Sequence, residues 1–114
     1  MDAFVQPLYE LADFDAIIRQ LKKPGIVQVS GCLDSQKAHF TNGLLREFPF
    51  RLIVAENDLK AKAFYEDFRL YDPEVLYYPA RDLIFYQADI HGNLLTRQRI
   101  QVLRALLERE EVTI

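Results

Sequence analysis

The sequence predicts an α/β fold in which βαβ units build a parallel sheet with helices on both faces. Three observations carry this prediction: short β-branched runs alternate with longer amphipathic segments, turn residues separate them, and 50% of the residues are hydrophobic. Strands and helices that alternate in this way favour parallel strands joined by right-handed crossovers. The length of 114 residues fits one domain, spanning 1–114.

In the first half of the chain, apolar residues at helical spacing predict a helix over 12–23. A β-branched run over 26–30, just before Gly31, is typical of a buried strand. A second helix is predicted over 35–48, and Pro49 ends it because proline cannot continue a helix. The predicted buried stripes are Phe14, Ile17, Ile18 and Leu21 in the first helix, and Ala38, Thr41, Leu44, Leu45 and Phe48 in the second.

The pattern then repeats, with an apolar strand predicted over 50–55 and a helix over 58–71. Asn57 is a suitable N-cap for this helix because its side chain can accept a hydrogen bond from the first turn. A third strand is predicted over 75–78. The expected buried stripe of the helix is Ala61, Phe64, Tyr65 and Phe68.

A last helix is predicted over 94–109, with Asn93 as its N-cap. A further strand begins at Val112, and because the sequence stops there we expect the chain to be a fragment of a larger protein. The segment from Pro79 to the last helix is rich in aromatic residues, and loop or short helix both stay open there. The expected apolar face of the last helix is Leu95, Val102, Leu103, Leu106 and Leu107.

Charge and composition exclude several classes of function. The 14 basic and 17 acidic side chains give a net charge of −3, whereas a domain that grips nucleic acid alone usually carries a basic excess. Cys32 is the single cysteine, and His39 and His91 are too far apart for a local metal motif, so no metal site is predicted. Neither a signal peptide nor a membrane span is visible, and we expect a cytoplasmic protein.

The segment 31–38 lies between a predicted strand and a predicted helix, where the phosphate-binding Walker A loop, GxxxxGK[ST], is found. Gly31 and Lys37 match the first glycine and the lysine of this motif. Gln36 replaces the second glycine, and Ala38 replaces the serine or threonine. Two of the four defining residues are therefore missing.

These losses matter because the loop turns backbone N–H groups toward phosphate oxygens at a helix N-terminus. Gln36 places a side chain where glycine allows close approach, and Ala38 has no hydroxyl to coordinate Mg²⁺. Asp34 adds a negative charge that repels a triphosphate. We therefore predict no catalytic residue, and we expect this chain itself not to be an enzyme.

The spacing alone is also compatible with an ordinary turn. In that interpretation Gly31 serves the turn, Asp34 or Ser35 caps the helix, and Lys37 is solvated. The residues of the predicted vestigial phosphate loop are Gly31, Ser35, Gln36, Lys37 and Ala38.

Two further segments carry a resemblance to known proteins. Residues 51–68 (RLIVAENDLKAKAFYEDF) resemble motif Ia of the helicase superfamily that contains UvrB and Mfd. Residues 75–87 (VLYYPARDLIFYQ), followed by the arginine-containing stretch 96–100, resemble the Mfd pattern of a strand that ends in Tyr-Pro-Ala. UvrB has a long β-hairpin after its tyrosine-rich segment, but here the few residues 88–93 bridge to the next helix. The ordered set resembles the N-terminal UvrB-like domain, helicase-like lobe 1a, of the Mfd family.

This resemblance implies a partial RecA-like lobe of P-loop helicase type, with a degenerate Walker A at 31–38. The family's full-length proteins are ATP-dependent DNA translocases that release RNA polymerase stalled at lesions and recruit UvrA for nucleotide excision repair. ATP and Mg²⁺ serve distant motor domains, so no cofactor is expected in this lobe, which acts as a scaffold and autoregulatory element. Its expected partners are other domains of its own chain, with UvrA bound mainly by the adjoining domain, and RNA polymerase and DNA bound by the full-length protein.

Two other hypotheses stay open on the sequence. One is the ATP-binding lobe of a UvrB-like DNA helicase that keeps weak nucleotide binding through Gly31 and Lys37. The other is an independent small α/β protein with a Rossmann-like or flavodoxin-like sheet. The aromatic residues Tyr77, Tyr78, Phe85 and Tyr86 suggest a stacking platform for bases, but the nearby acids Asp82 and Asp89 favour a packing role.

Overall fold

The computed structural model describes residues 3–80 and 90–114, with side chains from residue 93 onward in the second range. A 3-10 helix spans Gln6–Glu10, and it is followed by the helices α1 (Phe14–Leu21), α2 (Asp34–Leu45), α3 (Asp58–Phe68) and α4 (Ile90–Glu108). The strands are β1 (Phe50–Arg51) and β2 (Val112–Thr113). The four predicted helices are confirmed, with ends that differ by a few residues.

The first hydrophobic cluster joins the 3-10 helix to α1 and α2. Leu8, Phe14, Ile18 and Leu44 are its buried members. Phe14 is fully buried, and the rings of Tyr9 and Phe40 meet it edge-on at centroid distances of 5.0 and 5.6 Å. The predicted stripe of α1 therefore lies on the core side, because its 3.6-residue spacing places it on one helix face. Of the stripe predicted for the second helix, Leu44 is buried here and Ala38 in the second cluster, whereas Thr41, Leu45 and Phe48 are half-buried and Phe48 lies outside α2.

Gly43 allows the close approach of the 3-10 helix to α2 within this cluster. A Cβ atom at this position would lie 2.4 Å from Cδ1 of Leu8 and 3.1 Å from Cζ of Phe14. The burial of Gly43 was not predicted from the helical stripe, because glycine carries no apolar side chain to mark the face.

The second hydrophobic cluster lies between α2, α3 and the extended segment that contains Val75. Ala38, Phe68 and Val75 are buried, and Ile53, Phe64 and Tyr65 pack against them. The predicted stripe of α3 is thus confirmed. Its N-cap is also confirmed, since the side chain of Asn57 accepts a hydrogen bond from the N–H of Lys60 at 2.9 Å.

The two strands of the sheet are parallel, as predicted, but they are shorter than predicted. β1 pairs with β2 in the register Phe50 to Val112 and Arg51 to Thr113. Beyond this ladder, the N–H of Ile53 donates to the carbonyl of Ile114 at 2.8 Å. On the other side of β2, the N–H of Leu76 donates to the carbonyl of Thr113 at 2.9 Å. β2 therefore lies between the two extended segments.

The prediction of a buried strand over 26–30 is wrong. These residues form no ladder with any described part of the chain, and Ile26 is 99% exposed. A β-branched run favours extended backbone, but a strand also requires a neighbour to take its hydrogen bonds. The extended segments predicted over 50–55 and 75–78 likewise have only part of their length hydrogen-bonded, for the same reason.

The last helix differs from its prediction in its beginning and its buried face. α4 begins at Ile90, so Asn93 lies inside the helix and is not its N-cap. Val102 and Ala105 are buried, whereas Leu103 and Leu107 are 52% and 88% exposed. An amphipathic pattern over a leucine-rich helix does not reveal which of its apolar stripes finds a partner.

One face of β1 and its extension is exposed among the described residues. Side chains alternate along a strand, and Phe50, Leu52 and Val54 point to the exposed face while Ile53 packs on the second cluster. A RecA-like lobe with helices on both faces stays a prediction, because the two-stranded sheet is too small to decide it. Within the described ranges, no helix is long and apolar enough to cross a membrane.

Candidate functional site

The structure places the residues of the predicted phosphate loop in two different settings. Gly31 adopts a positive φ of 90°, a conformation that glycine adopts without steric cost, and it therefore serves the turn before α2. Ser35, Gln36, Lys37 and Ala38 all lie within the first turns of α2, which begins at Asp34. The helix thus includes residues that would have to form the loop.

The backbone around the second motif glycine position is already hydrogen-bonded. The N–H groups of Gln36 and Lys37 both donate to the carbonyl of Leu33, at 2.9 and 3.2 Å. The side-chain carbonyl of Gln36 accepts from the N–H of Leu33 at 3.3 Å. A phosphate loop requires inward-pointing N–H groups that are free to bind oxygen, and these groups are engaged within the helical turn.

Lys37 is paired with an acidic residue of the same turn. Its Nζ lies 2.5 Å from Oδ1 of Asp34, on the exposed surface. The hydrogen bond and the positive charge of Lys37 lower the pKa of the Asp34 carboxyl, and the same contact raises the pKa of Lys37. The lysine charge that would bind phosphate is therefore compensated by a carboxylate that repels it.

Ala38 is used for packing. Its side chain is 3% exposed and belongs to the second hydrophobic cluster, with Phe68 and Val75. In a Walker A motif this position carries a hydroxyl that faces Mg²⁺, whereas here it faces the core. The expectation that Asp34 or Ser35 caps α2 is wrong: Leu33 is the N-cap residue and makes no side-chain capping bond.

A cavity of about 380 Å³ lies along α3, next to the carboxyl end of β1. One wall is the segment 52–57, and the opposite wall is the segment 75–80. Ile114 lies at one end between them, and the rings of Phe64, Tyr65 and Phe68 line the cavity from α3. The lining is mostly apolar, with a few polar groups at the rim.

A tyrosine–aspartate pair joins the wall 75–80 to α3. The hydroxyl of Tyr77 donates to Oδ1 of Asp58, the first residue of α3, and the Tyr77 ring lies 5.5 Å from the ring of Tyr65. Burial, followed by the hydrogen bond and the negative charge of Asp58, raises the pKa of Tyr77 to about 12. This contact could not be predicted from the sequence, because the partners are far apart along the chain and no motif links them.

A cation–π contact connects α4 to the same wall. The guanidinium of Arg99 lies 4.2 Å from the centroid of the Tyr78 ring, and its Nη1 donates to the carbonyl of Pro79 at 2.9 Å. Arg99 therefore covers one face of the ring that a base would stack on. Two members of the suggested stacking platform, Phe85 and Tyr86, lie outside the described residues, as do the acids Asp82 and Asp89.

The remaining conspicuous residues make ordinary contacts. The ring of His39 stacks on Tyr71 at 5.2 Å, and its Nε2 is hydrogen-bonded to the carbonyl of Phe4. Arg104 pairs with Glu108 at 2.8 Å, as helical spacing predicts. In residues 3–80 and the described part of α4 and β2, no three potential ligands lie close enough to hold a metal ion.

Comparison with known proteins identifies no relative: no family model matches this sequence, and no curated protein or solved structure does either.

Proposed function

We propose that this chain is a non-catalytic helicase-like lobe of a transcription-repair coupling factor. Such a factor releases RNA polymerase stalled at DNA lesions and recruits UvrA for nucleotide excision repair. In this proposal the lobe is a scaffold and autoregulatory element that contacts other domains of its own chain. ATP and Mg²⁺ are used by the distant motor domains, and RNA polymerase and DNA are bound by the full-length factor in the cytoplasm.

The observation that supports a non-catalytic role is the early start of α2. Because the helix begins at Asp34, the N–H groups of Gln36 and Lys37 are bonded to the carbonyl of Leu33. The Lys37 side chain is also paired with Asp34. A nucleotide would have to break these contacts and approach a carboxylate, and Ala38 would still supply no ligand to its metal ion.

The assignment to a repair factor rests on the ordered motifs of the sequence. The segment 51–68 and the segment 75–80 lie on opposite walls of one cavity, so two of the resembling motifs are neighbours in space. Motif Ia follows the helix after the phosphate loop in helicases of this type, and here 51–68 follows α2. These features support the family proposal.

Titration with ATP and Mg²⁺, followed by calorimetry and by phosphate release, tests the non-catalytic role. We expect neither saturable binding up to millimolar nucleotide nor hydrolysis, and we expect the Lys37→Ala variant to behave identically. Saturable micromolar binding that is lost in Lys37→Ala would instead favour the ATP-binding lobe of a UvrB-like helicase.

The partner assignment has its own test. Because the main UvrA surface is assigned to the adjoining domain, this chain alone should retain UvrA weakly or not at all in a pull-down. A longer chain that includes the adjoining domain is the positive control. Tight retention of UvrA by residues 1–114 would show that the contact surface is in this lobe.

A further inference from the structure

The backbone on both walls of the cavity continues a hydrogen-bond pattern that β2 begins. On the first wall, the N–H of Ile114 donates to the carbonyl of Arg51 at 2.9 Å, and the N–H of Ile53 donates to the carbonyl of Ile114 at 2.8 Å. In a parallel ladder such bonds recur at every second residue. The next groups in the series are the carbonyl of Ile53 and the N–H of Ala55.

The second wall has the same arrangement. The N–H of Leu76 donates to the carbonyl of Thr113 at 2.9 Å, so the next groups in this series are the carbonyl of Leu76 and the N–H of Tyr78. Within the described parts of the chain, the N–H groups of Ala55 and Tyr78 have no backbone acceptor. Both residues line the cavity, as does Ile114.

The width of the cavity follows from these bonds. Each wall is one strand spacing away from β2, so the walls are separated by roughly two spacings of about 4.8 Å each. That gap accommodates one extended strand between them. The hydrogen bond of Tyr77 to Asp58 and its ring contact with Tyr65 join the second wall to α3, which lies over the gap.

We infer that the cavity is a slot for an extended strand that continues β2 past Ile114, running parallel to β1. The occupant is the segment joined to Ile114 in the larger factor, so this inference rests on the proposed function. Its backbone would bond both walls by strand addition. Covalent attachment favours this occupant because the segment needs no separate association step.

The side chains around the slot define the chemistry of the strand. Phe64, Tyr65 and Phe68 favour apolar, β-branched residues on the side that faces α3. The charged groups at the rim are largely compensated, because Glu56 is paired with Lys60 and Asp58 accepts a hydrogen bond from Tyr77. The slot therefore takes a strand whose face toward α3 is apolar.

Chains extended after Ile114 test this inference. A Val-Val-Thr-Val extension should raise Tm by about 5 °C. It should also slow amide exchange of Ala55 and Tyr78 by about tenfold or more, because both N–H groups become bonded. A Val-Pro-Thr-Val extension is the matched control, since its proline removes the N–H that would donate to the carbonyl of Ile53. A Gly-Ser-Gly-Ser extension controls for length.

Equal effects of all three extensions, or no effect of any, would overturn the inference. Protection of the two amides by an added neutral aromatic probe such as indole, without an effect of the extension, would assign the cavity to a small molecule and also overturn it. Nucleotide binding at Lys37 would overturn the proposed function and leave these results unchanged, so the two failures are distinguishable.

Discussion

The two sides of this molecule differ in how completely they are packed. On the helical side, formed by the 3-10 helix, α1 and α2, Phe14 is fully buried and enclosed by aromatic rings. On the strand side, formed by 50–57, 75–80 and β2, Leu52 is 71% exposed and Val54 is 82% exposed, and the separate segment 26–30 is also exposed, with Ile26 at 99%. The helical side encloses an aromatic core, whereas on the strand side part of the extended backbone has no backbone partner among the described residues and several apolar side chains are exposed.

This difference follows from how the two kinds of element satisfy their backbone. A helix bonds its own N–H and C=O groups, so packing of one apolar stripe is enough to hold it. A strand depends on neighbours that lie far away in sequence. The strand side is therefore the part of the molecule that is suited to accept another segment.

The largest expected effect is on the helical side. Phe14→Ala should lower the free energy of unfolding by about 3–5 kcal/mol, because it leaves a cavity in an aromatic cluster. Val54→Ala is the control on the strand side, and Ile26→Ala is the control in the exposed segment 26–30; each should cost less than about 0.5 kcal/mol. Urea unfolding measures these changes. If Phe14→Ala does not fold, Ile18→Val, at about 1 kcal/mol, provides the same contrast.

An Ile26→Ala variant that loses as much stability as the Phe14 variant would contradict the difference in packing between Phe14 and Ile26. It would mean that the segment 26–30 is packed in solution.

The next largest effect on stability is expected at the buried residue Thr113 of β2. Thr113 is 2% exposed, and its hydroxyl donates to Oδ2 of Asp72 at 2.6 Å. Thr113→Val keeps the shape but removes this bond to a charged acceptor, and it should cost about 1.5 kcal/mol in urea unfolding. Asp72→Ala removes the same bond and also the bond from the N–H of Glu74 to Oδ1, so it should cost more. No loss in Thr113→Val would show that the hydrogen bond is not the stabilising feature.

The N-termini of α2 and α3, the helices before and after β1, allow the effect of a side-chain cap to be compared. α3 has a side-chain cap from Asn57, whereas α2 begins after Leu33 without one. Asn57→Ala should lower stability by about 1 kcal/mol, and Leu33→Ser should raise it by about 0.5 kcal/mol, because Leu33 is exposed and gains an acceptor. Thermal unfolding measures both. A loss in Leu33→Ser would indicate that the Leu33 side chain is packed.

The smallest effect at neutral pH is expected at Tyr77. Because its pKa is raised to about 12, the folded chain keeps the phenol proton that the unfolded chain loses near pH 10. The associated stability is present below pH 10 and is lost as pH rises toward 12. Tyr77→Phe should flatten this decline in unfolding experiments, with Tyr9→Phe as the control. An unchanged decline would exclude Tyr77 as its source.

Much of the helical side could be predicted from the sequence. The stripe of Phe14, Ile17, Ile18 and Leu21, together with the Asn57 cap, depends on spacing of a few residues, which a local pattern records. The strand over 26–30 could not be predicted correctly, because β-branched composition does not specify whether a partner strand is present. The prediction of the buried face of α4 was wrong for a related reason, because its leucines form more than one apolar stripe.

The candidate sites could likewise be predicted only in part from the sequence. The substitutions at Gln36 and Ala38 are visible in the sequence and predict the loss of a phosphate loop. The start of α2 at Asp34 and the Lys37 pair were not predicted, since Asp34 was expected to cap the helix rather than to begin it. The cavity between the walls of Ala55 and Tyr78 depends on parallel pairing across distant segments, which a single sequence does not record.

The most direct test of the proposed non-catalytic role follows the backbone amides of Gln36 and Lys37 by NMR during titration with ATP and Mg²⁺. Because both amides donate to the carbonyl of Leu33, we expect that their resonances do not shift in a saturable way up to millimolar nucleotide. Saturable shifts at micromolar nucleotide that vanish in Lys37→Ala would show a working phosphate site and exclude the non-catalytic role.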